Sequence, residues 1–211
     1  PPKGYLERIR ELCTQYGVVL IFDEVKCGCT IAAGGARERF GVKPDLASWA
    51  KSIGGGAAIG AFGGRADIMD EINHGAAHQG TYNGNPLSVA ASLATLTKVL
   101  TPDAYAHFDY LGKRLASGMQ RSIDEHGIPA SIVDLGCKGC VTYRSEPLTN
   151  YRDFLETNTE LYLASYPFMI NRDVFMTPGD EEQWTLSVQH GDREIDRYVD
   201  AFAELCQALA G

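Results

Sequence analysis

Leu6, Ile9, Leu12 and Cys13 recur at helical spacing and Gly17 follows them, which predicts a helix over 4–16. Residues 18–25, VVLIFDEV, form a continuous apolar run that closes on two acids. A run of that length and composition predicts a buried parallel strand with functional residues at its carboxyl end. The glycine-rich stretch 28–41 reads as a loop. PDLASWAK (44–51) reads as a short strand running into a loop, and AIGAFGG (58–64) as a further strand. A short helix over 66–72, a polar turn-rich segment HQGTYNGNP (78–86) and a long Ala/Leu/Val helix over 86–100 complete this half.

The pattern changes after residue 100. Thr101-Pro102-Asp103 offers a cap, a proline at the first helical position and an acid in the first turn, so a helix opens here and runs to Gly127. Strands are predicted over 130–135 and 139–143, a helix over 151–167, and a short strand near 173–176. A strand WTLSVQ (184–189) and an amphipathic helix over 192–209 end the chain. Strands with flanking helices suggest an α+β layer distinct from the first half. Two domains are expected, 1–100 and 101–211.

Composition narrows the classes. The chain has 211 residues, 45 % hydrophobic and 22 % charged, as in ordinary globular proteins. No run approaches the roughly eighteen apolar residues that a membrane span needs. A formal net charge of −8 lacks the basic face of a nucleic-acid binder, although local groups can still cradle a phosphate. Cys27 and Cys29 flank one glycine, while Cys137 and Cys140 lie more than a hundred residues away, a poor spacing for zinc. Free thiols in a reducing cytoplasm are expected, with no metal. The five histidines do not cluster at ligand spacing. The start, Pro1-Pro2-Lys3-Gly4, has no initiator Met and no signal pattern, and the chain reads as a fragment.

Three places carry candidate chemistry. Asp23 ends the predicted buried strand, where a carboxylate needs a cationic partner. A protonated pyridine nitrogen would serve; a helix cap or a metal ligand are the other uses. Lys51 precedes Ser52-Ile53-Gly54-Gly55-Gly56. Among apolar and small neighbours a lysine can be desolvated towards the neutral amine that attacks aldehydes, and the glycines let backbone approach a planar ligand. A phosphate-binding P-loop is excluded, because there the lysine follows the glycines. A solvated surface lysine is the plain alternative. Gly80-Thr81 could bind a phosphate through a hydroxyl and backbone N–H groups, or Thr81 could cap the next helix.

LIFDEV, FGVKPDLASWAKSIGGGAAIGAFGGRADIM and HQGTYNGNPLSVAA together resemble the class III aminotransferases, nearest to their glutamate-1-semialdehyde aminomutase and β-amino-acid transaminase group. NRDVFMTPGDEEQWTLSVQH resembles the same group's C-terminal domain. The resemblance implies an α/β fold, the fold type I of pyridoxal-phosphate (PLP) enzymes, with this chain supplying the second half of the large domain and the small domain. It implies that Lys51 holds PLP as a Schiff base, that Asp23 pairs with the pyridine nitrogen, and that Val25 packs on the ring. It implies further that Gly80-Thr81 reaches the phosphate of a neighbouring subunit, hence a homodimer with shared active sites. The substrates would be a small amino donor and an oxo acceptor.

The family commonly continues D-E-V with Arg-Thr-Gly-Phe-Arg, where this chain has Lys26-Cys27-Gly28-Cys29-Thr30, so substrate preference does not carry over. An intramolecular aminomutase would use the same residues, and an inactive fragment lacking the first half is a third possibility. His78 and Gln79 are candidates for the phosphate edge, and Gln189-His190 for substrate contact. Trp49 and Trp184 are expected in the core.

Overall fold

A computed structural model describes residues 1–178 and 184–211, and the chain divides into two compact units, Pro1–Tyr105 and Ala106–Gly211. The GDEEQ stretch of the motif over 171–190 lies outside the described residues.

In the first unit, α1 (Tyr5–Tyr16) ends where Gly17 returns its N–H to the Cys13 carbonyl. A three-stranded sheet follows, ordered β1 (Ile21–Asp23), β2 (Leu46–Trp49), β3 (Ala61–Gly64). β1 and β2 are parallel, with Ile21 opposite Leu46 and Asp23 opposite Ser48, while β3 runs antiparallel to β2. The strand expected over 18–25 is therefore shorter, and it is not buried. β1 is an edge that pairs only with β2 among the described residues, so Val18, Val19 and Ile21 remain exposed. The stretch expected as loop over 28–41 contains a short helix, α2 (Gly35–Phe40). Beyond β3 come α3 (Ala66–Met69) and α4 (Pro86–Ala94), the latter widening into a π-helical turn over Thr95–Val99.

The second unit is built on α5 (Pro102–His126), which starts within the first unit's range and is capped by the Thr101 hydroxyl as its sequence predicts. Phe108, Leu111, Leu115, Met119 and Ile123 recur at helical spacing and are buried. They share the core with Ile195, Tyr198, Phe202 and Leu205 of α8 (Asp192–Ala210). An antiparallel sheet of β4 (Ser131–Asp134), β5 (Lys138–Thr142) and β6 (Trp184–Thr185) belongs to this unit.

Three expectations fail here for identifiable reasons. The single helix over 151–167 is two, α6 (Tyr151–Leu155) and α7 (Thr159–Ile170). Asn150 and Asn158 each accept N–H groups from the turn that follows, so a second start interrupts the run. Residues 173–176 alternate inward and outward, with Val174 and Met176 buried and Phe175 exposed, but they join no ladder. WTLSVQ forms a strand only over Trp184–Thr185, with one further bond from Leu186 N–H to the Cys137 carbonyl at 2.7 Å, because Ser187 to His190 fold into a turn closed by Ser187 N–H on His190 Nδ1 at 2.9 Å. No helix among the described residues is long and apolar enough to cross a membrane.

The loop entering β2 is fastened by Asp45. Its buried carboxylate accepts from Arg10 Nη1 (2.8 Å), Leu20 N–H (2.8 Å) and the half-exposed Arg65 (3.1 Å). These donors, Arg10 foremost, hold the acid well below the usual carboxylate range. A depressed carboxylate contributes stability above the unfolded-state pKa and loses it as pH falls. At neutral pH Asp45→Asn should cost on the order of 1–2 kcal/mol, allowing for the exposure of Arg65. In urea unfolding of parent and variant, that difference should shrink below about pH 4, where the unfolded acid is protonated. An equal difference at pH 7 and pH 3 would remove the electrostatic role.

Candidate active site

Parallel pairing puts the carboxyl ends of β1 and β2 side by side; Asp23 is the last residue of β1 and Lys51 lies in the segment leaving β2. Asp23 ends β1. One of its oxygens, Oδ1, accepts from Val25 N–H at 3.0 Å and from the Ser48 hydroxyl at 3.4 Å. Its other oxygen has no partner among the described residues. Asp23 is exposed, and the buried acid of this pair is its neighbour Glu24, 2 % accessible. Glu24 Oε2 accepts from Ala36 N–H at 2.7 Å, in the first turn of α2. A Cβ at Gly35 would lie 2.0 Å from that carboxylate oxygen, and Gly35 sits at φ +63°, so only glycine suits the position. The expected costly burial thus falls on Glu24, which the fold satisfies, while Asp23 is left free to meet a partner.

Lys51 opens a 3₁₀ turn over Lys51–Gly54, two residues beyond β2. It stands at φ +52°, in the left-handed region, which costs a residue with a side chain about 1–2 kcal/mol. Such strain persists where the surroundings fix it, and it concentrates at functional sites. The Ser52 hydroxyl donates to the Gly28 carbonyl at 3.3 Å and ties this turn to the loop after β1. Lys51 is exposed, so the desolvation expected from its apolar neighbours is not supplied by the described residues.

Val25 is half-buried beside Asp23. Gly80 and Thr81 occupy an exposed loop, and no hydrogen bond or ring contact joins them to Asp23 or Lys51 among the described residues. Thr81 does not cap α4. Asn85 does, accepting from Leu87 and Ser88 N–H groups, which leaves the Thr81 hydroxyl without a partner among the described residues. His78 meets Phe62 of β3 edge-on, with centroids 5.0 Å apart. In the second unit, the His190 carbonyl bonds His107 Nε2 at 2.8 Å. None of the six cysteines forms a disulfide. Burial, with Glu24 beside them, pushes the Cys27 and Cys29 thiols up. Glu24 and Ser48 were not singled out by sequence. Ser48 becomes visible only once the β1–β2 register is known.

A profile of the family Aminotransferase class-III matches residues 1–160. Glutamate-1-semialdehyde 2,1-aminomutase of Thermomicrobium roseum is 38 % identical over 203 residues, covering 95 % of this chain and 47 % of its own length. Among solved structures, an omega-transaminase from Sphaerobacter thermophilus superposes with a TM-score of 0.89 at 34 % identity. It covers 99 % of this chain and 48 % of its own. A beta-phenylalanine aminotransferase from Variovorax paradoxus gives 0.90 at 30 % identity, over 97 % of this chain and 47 % of its own. The chain spans about half the length of the curated relatives it matches.

Proposed function

The chain belongs to the class III aminotransferases, and on that premise we propose that it carries the lysine-bearing portion of an enzyme that moves amino groups with PLP held on Lys51. One observation supports this above the rest. Asp23 and Lys51 sit at the shared carboxyl end of two parallel strands, the acid with one oxygen open and the lysine in a strained backbone state. That end is where ligands bind in open α/β sheets.

The donor set fits the cofactor. The open oxygen of Asp23 suits a cationic ring N–H, Lys51 Nζ suits an aldehyde carbon, and Val25 offers an apolar contact for a ring. When bound, PLP supplies an electron sink for a carbanion. Asp23 would keep the ring nitrogen protonated. Lys51 Nζ, once released, would take the proton from the substrate carbon and return it. Gly80 and Thr81 would donate to the phosphate held by a partner subunit, in a homodimer with shared sites. The free Thr81 hydroxyl supports this, as do the exposed Tyr82, Leu87, Leu93 and Leu96 on the same segment. The substrates are then an amino acid or amine and an oxo acid or aldehyde. A cytoplasmic location goes with six cysteines outside any disulfide.

A second assignment, an intramolecular aminomutase, is favoured by the name of the Thermomicrobium roseum relative. A labelled amino nitrogen that appears in an added oxo acid supports transamination, and one retained in the same molecule supports the mutase.

Incubation with PLP and reduction with borohydride should fix a pyridoxyl mass on the Lys51 peptide, and Lys51→Ala should lose both the label and turnover. Arginine would not rescue, since guanidinium stays protonated. Label on a different lysine would refute the assignment. Asp23→Asn should keep the fold and some cofactor but lose rate steeply; a rate within a few-fold of the parent would end the ring-nitrogen role. Thr81→Ala should weaken cofactor affinity by about ten- to a hundredfold, the worth of a charge-assisted hydrogen bond. Co-expressed Lys51→Ala and Thr81→Ala subunits should recover part of the activity, because some mixed dimers keep one site with both residues. No recovery among dimers shown to exchange would mean that Thr81 serves its own chain or no phosphate.

A further inference from the structure

The left-handed backbone of Lys51 requires something behind it, and the neighbours of the turn that carries it can be named. Ser52 ties it to Gly28, Ile53 is buried, and Gly54 packs against Ile59, whose Cγ2 would lie 2.9 Å from a Cβ there. Further contacts come from α4 and from the widened turn that follows it. A side chain on Gly55 would place its Cβ 2.2 Å from Thr95 Oγ1, so the Thr95 hydroxyl lies directly against the glycine backbone. Gly55 is itself at φ +56°, and its N–H bonds the Ser52 carbonyl at 3.2 Å to close the Lys51 turn.

Thr95 is well fixed for such a role. Its hydroxyl donates to the Ala91 carbonyl at 2.9 Å, and its own carbonyl accepts from Leu100 N–H at 2.9 Å, the five-residue step of a π-turn. Side-chain bonding back to the previous turn bends helices, and single π-turns occur mostly where function repays an irregular helix. The widening begins at the residue that meets Gly55.

We infer that Thr95 is a positioning residue for Lys51, with its hydroxyl buttressing Gly55 so that the Lys51 turn keeps its left-handed start. The inference rests on the assignment of Lys51 as the PLP-bearing residue. Thr95 touches no reacting atom; it acts through Gly55 and the turn. Misplacement of a reacting group by about 1 Å can cost a hundredfold in rate, so a small relaxation here is measurable.

The test measures covalent capture in the intact protein. Parent, Thr95→Ala and Thr95→Ser are incubated with PLP over a range of concentrations and pH, reduced with borohydride, and the pyridoxyl mass on the Lys51 peptide is quantified. Thermal midpoints without PLP serve as the structural control. Thr95→Ala should need about tenfold more PLP for equal labelling, by the same misplacement, while its midpoint moves by only a few degrees. Thr95→Ser, which keeps the oxygen, should label like the parent. Labelling of Thr95→Ala equal to the parent overturns the inference, and so does a loss that serine does not restore. If the alanine variant does not fold, serine and Thr95→Val carry the same comparison. Valine keeps the bulk but loses the bond to Ala91, and equal labelling of those two overturns the inference. A parent that takes no label on Lys51 overturns the Lys51 assignment itself, a result distinct from every outcome at Thr95.

Discussion

The parallel pairing of β1 with β2 sets the geometry on which the proposed chemistry depends. Side chains alternate across a strand, so a slip of one residue would exchange the outward and inward acids of Asp23-Glu24. Two features pin the register. At the amino end of β2, Asp45 N–H reaches the Leu20 carbonyl while its carboxylate takes the Leu20 N–H and both arginines. At the carboxyl end, Glu24 is turned inward onto the first turn of α2, through a gap that exists because Gly35 has no side chain. Asp23 can therefore be the outward acid because its neighbour has a satisfied place inside.

The same reasoning explains what could be read from sequence. Motif order and spacing nominate Asp23, Lys51 and Thr81 as candidates, and periodicity located α1, α5 and α8 within a residue or two. Burial was not legible. VVLIFDEV has the composition of a central strand, yet a central strand needs neighbours on both sides, and among the described residues β1 has one. The choice between Asp23 and Glu24 as the buried carboxylate depends on α2, in a segment whose glycines mask six helical residues. The break between α6 and α7 depends on Asn158 acting as a cap, a local competition that a helical run of apolar residues conceals. Thr95 carries no sequence signal of its own, since a threonine within an Ala/Leu helix looks like a tolerated substitution until the glycine turn is seen against it.

Both units keep buried apolar residues and expose others. In the second, Leu111, Leu115 and Met119 are wholly inaccessible, while Tyr151, Leu155, Leu163 and Phe175 are exposed. The first leaves Val18, Val19, Ile21, Phe62, Leu87 and Leu93 open to solvent. In the proposed homodimer a partner subunit would cover part of this apolar surface. Both proposed cofactor-holding regions, the carboxyl end of β1–β2 and the Gly80-Thr81 loop, belong to this open unit. Covering those surfaces would also remove water from around Lys51, which the described residues leave exposed. On the proposed reading, desolvation of that amine would come with assembly, added to a lysine whose backbone the Gly55–Thr95 contact would already hold.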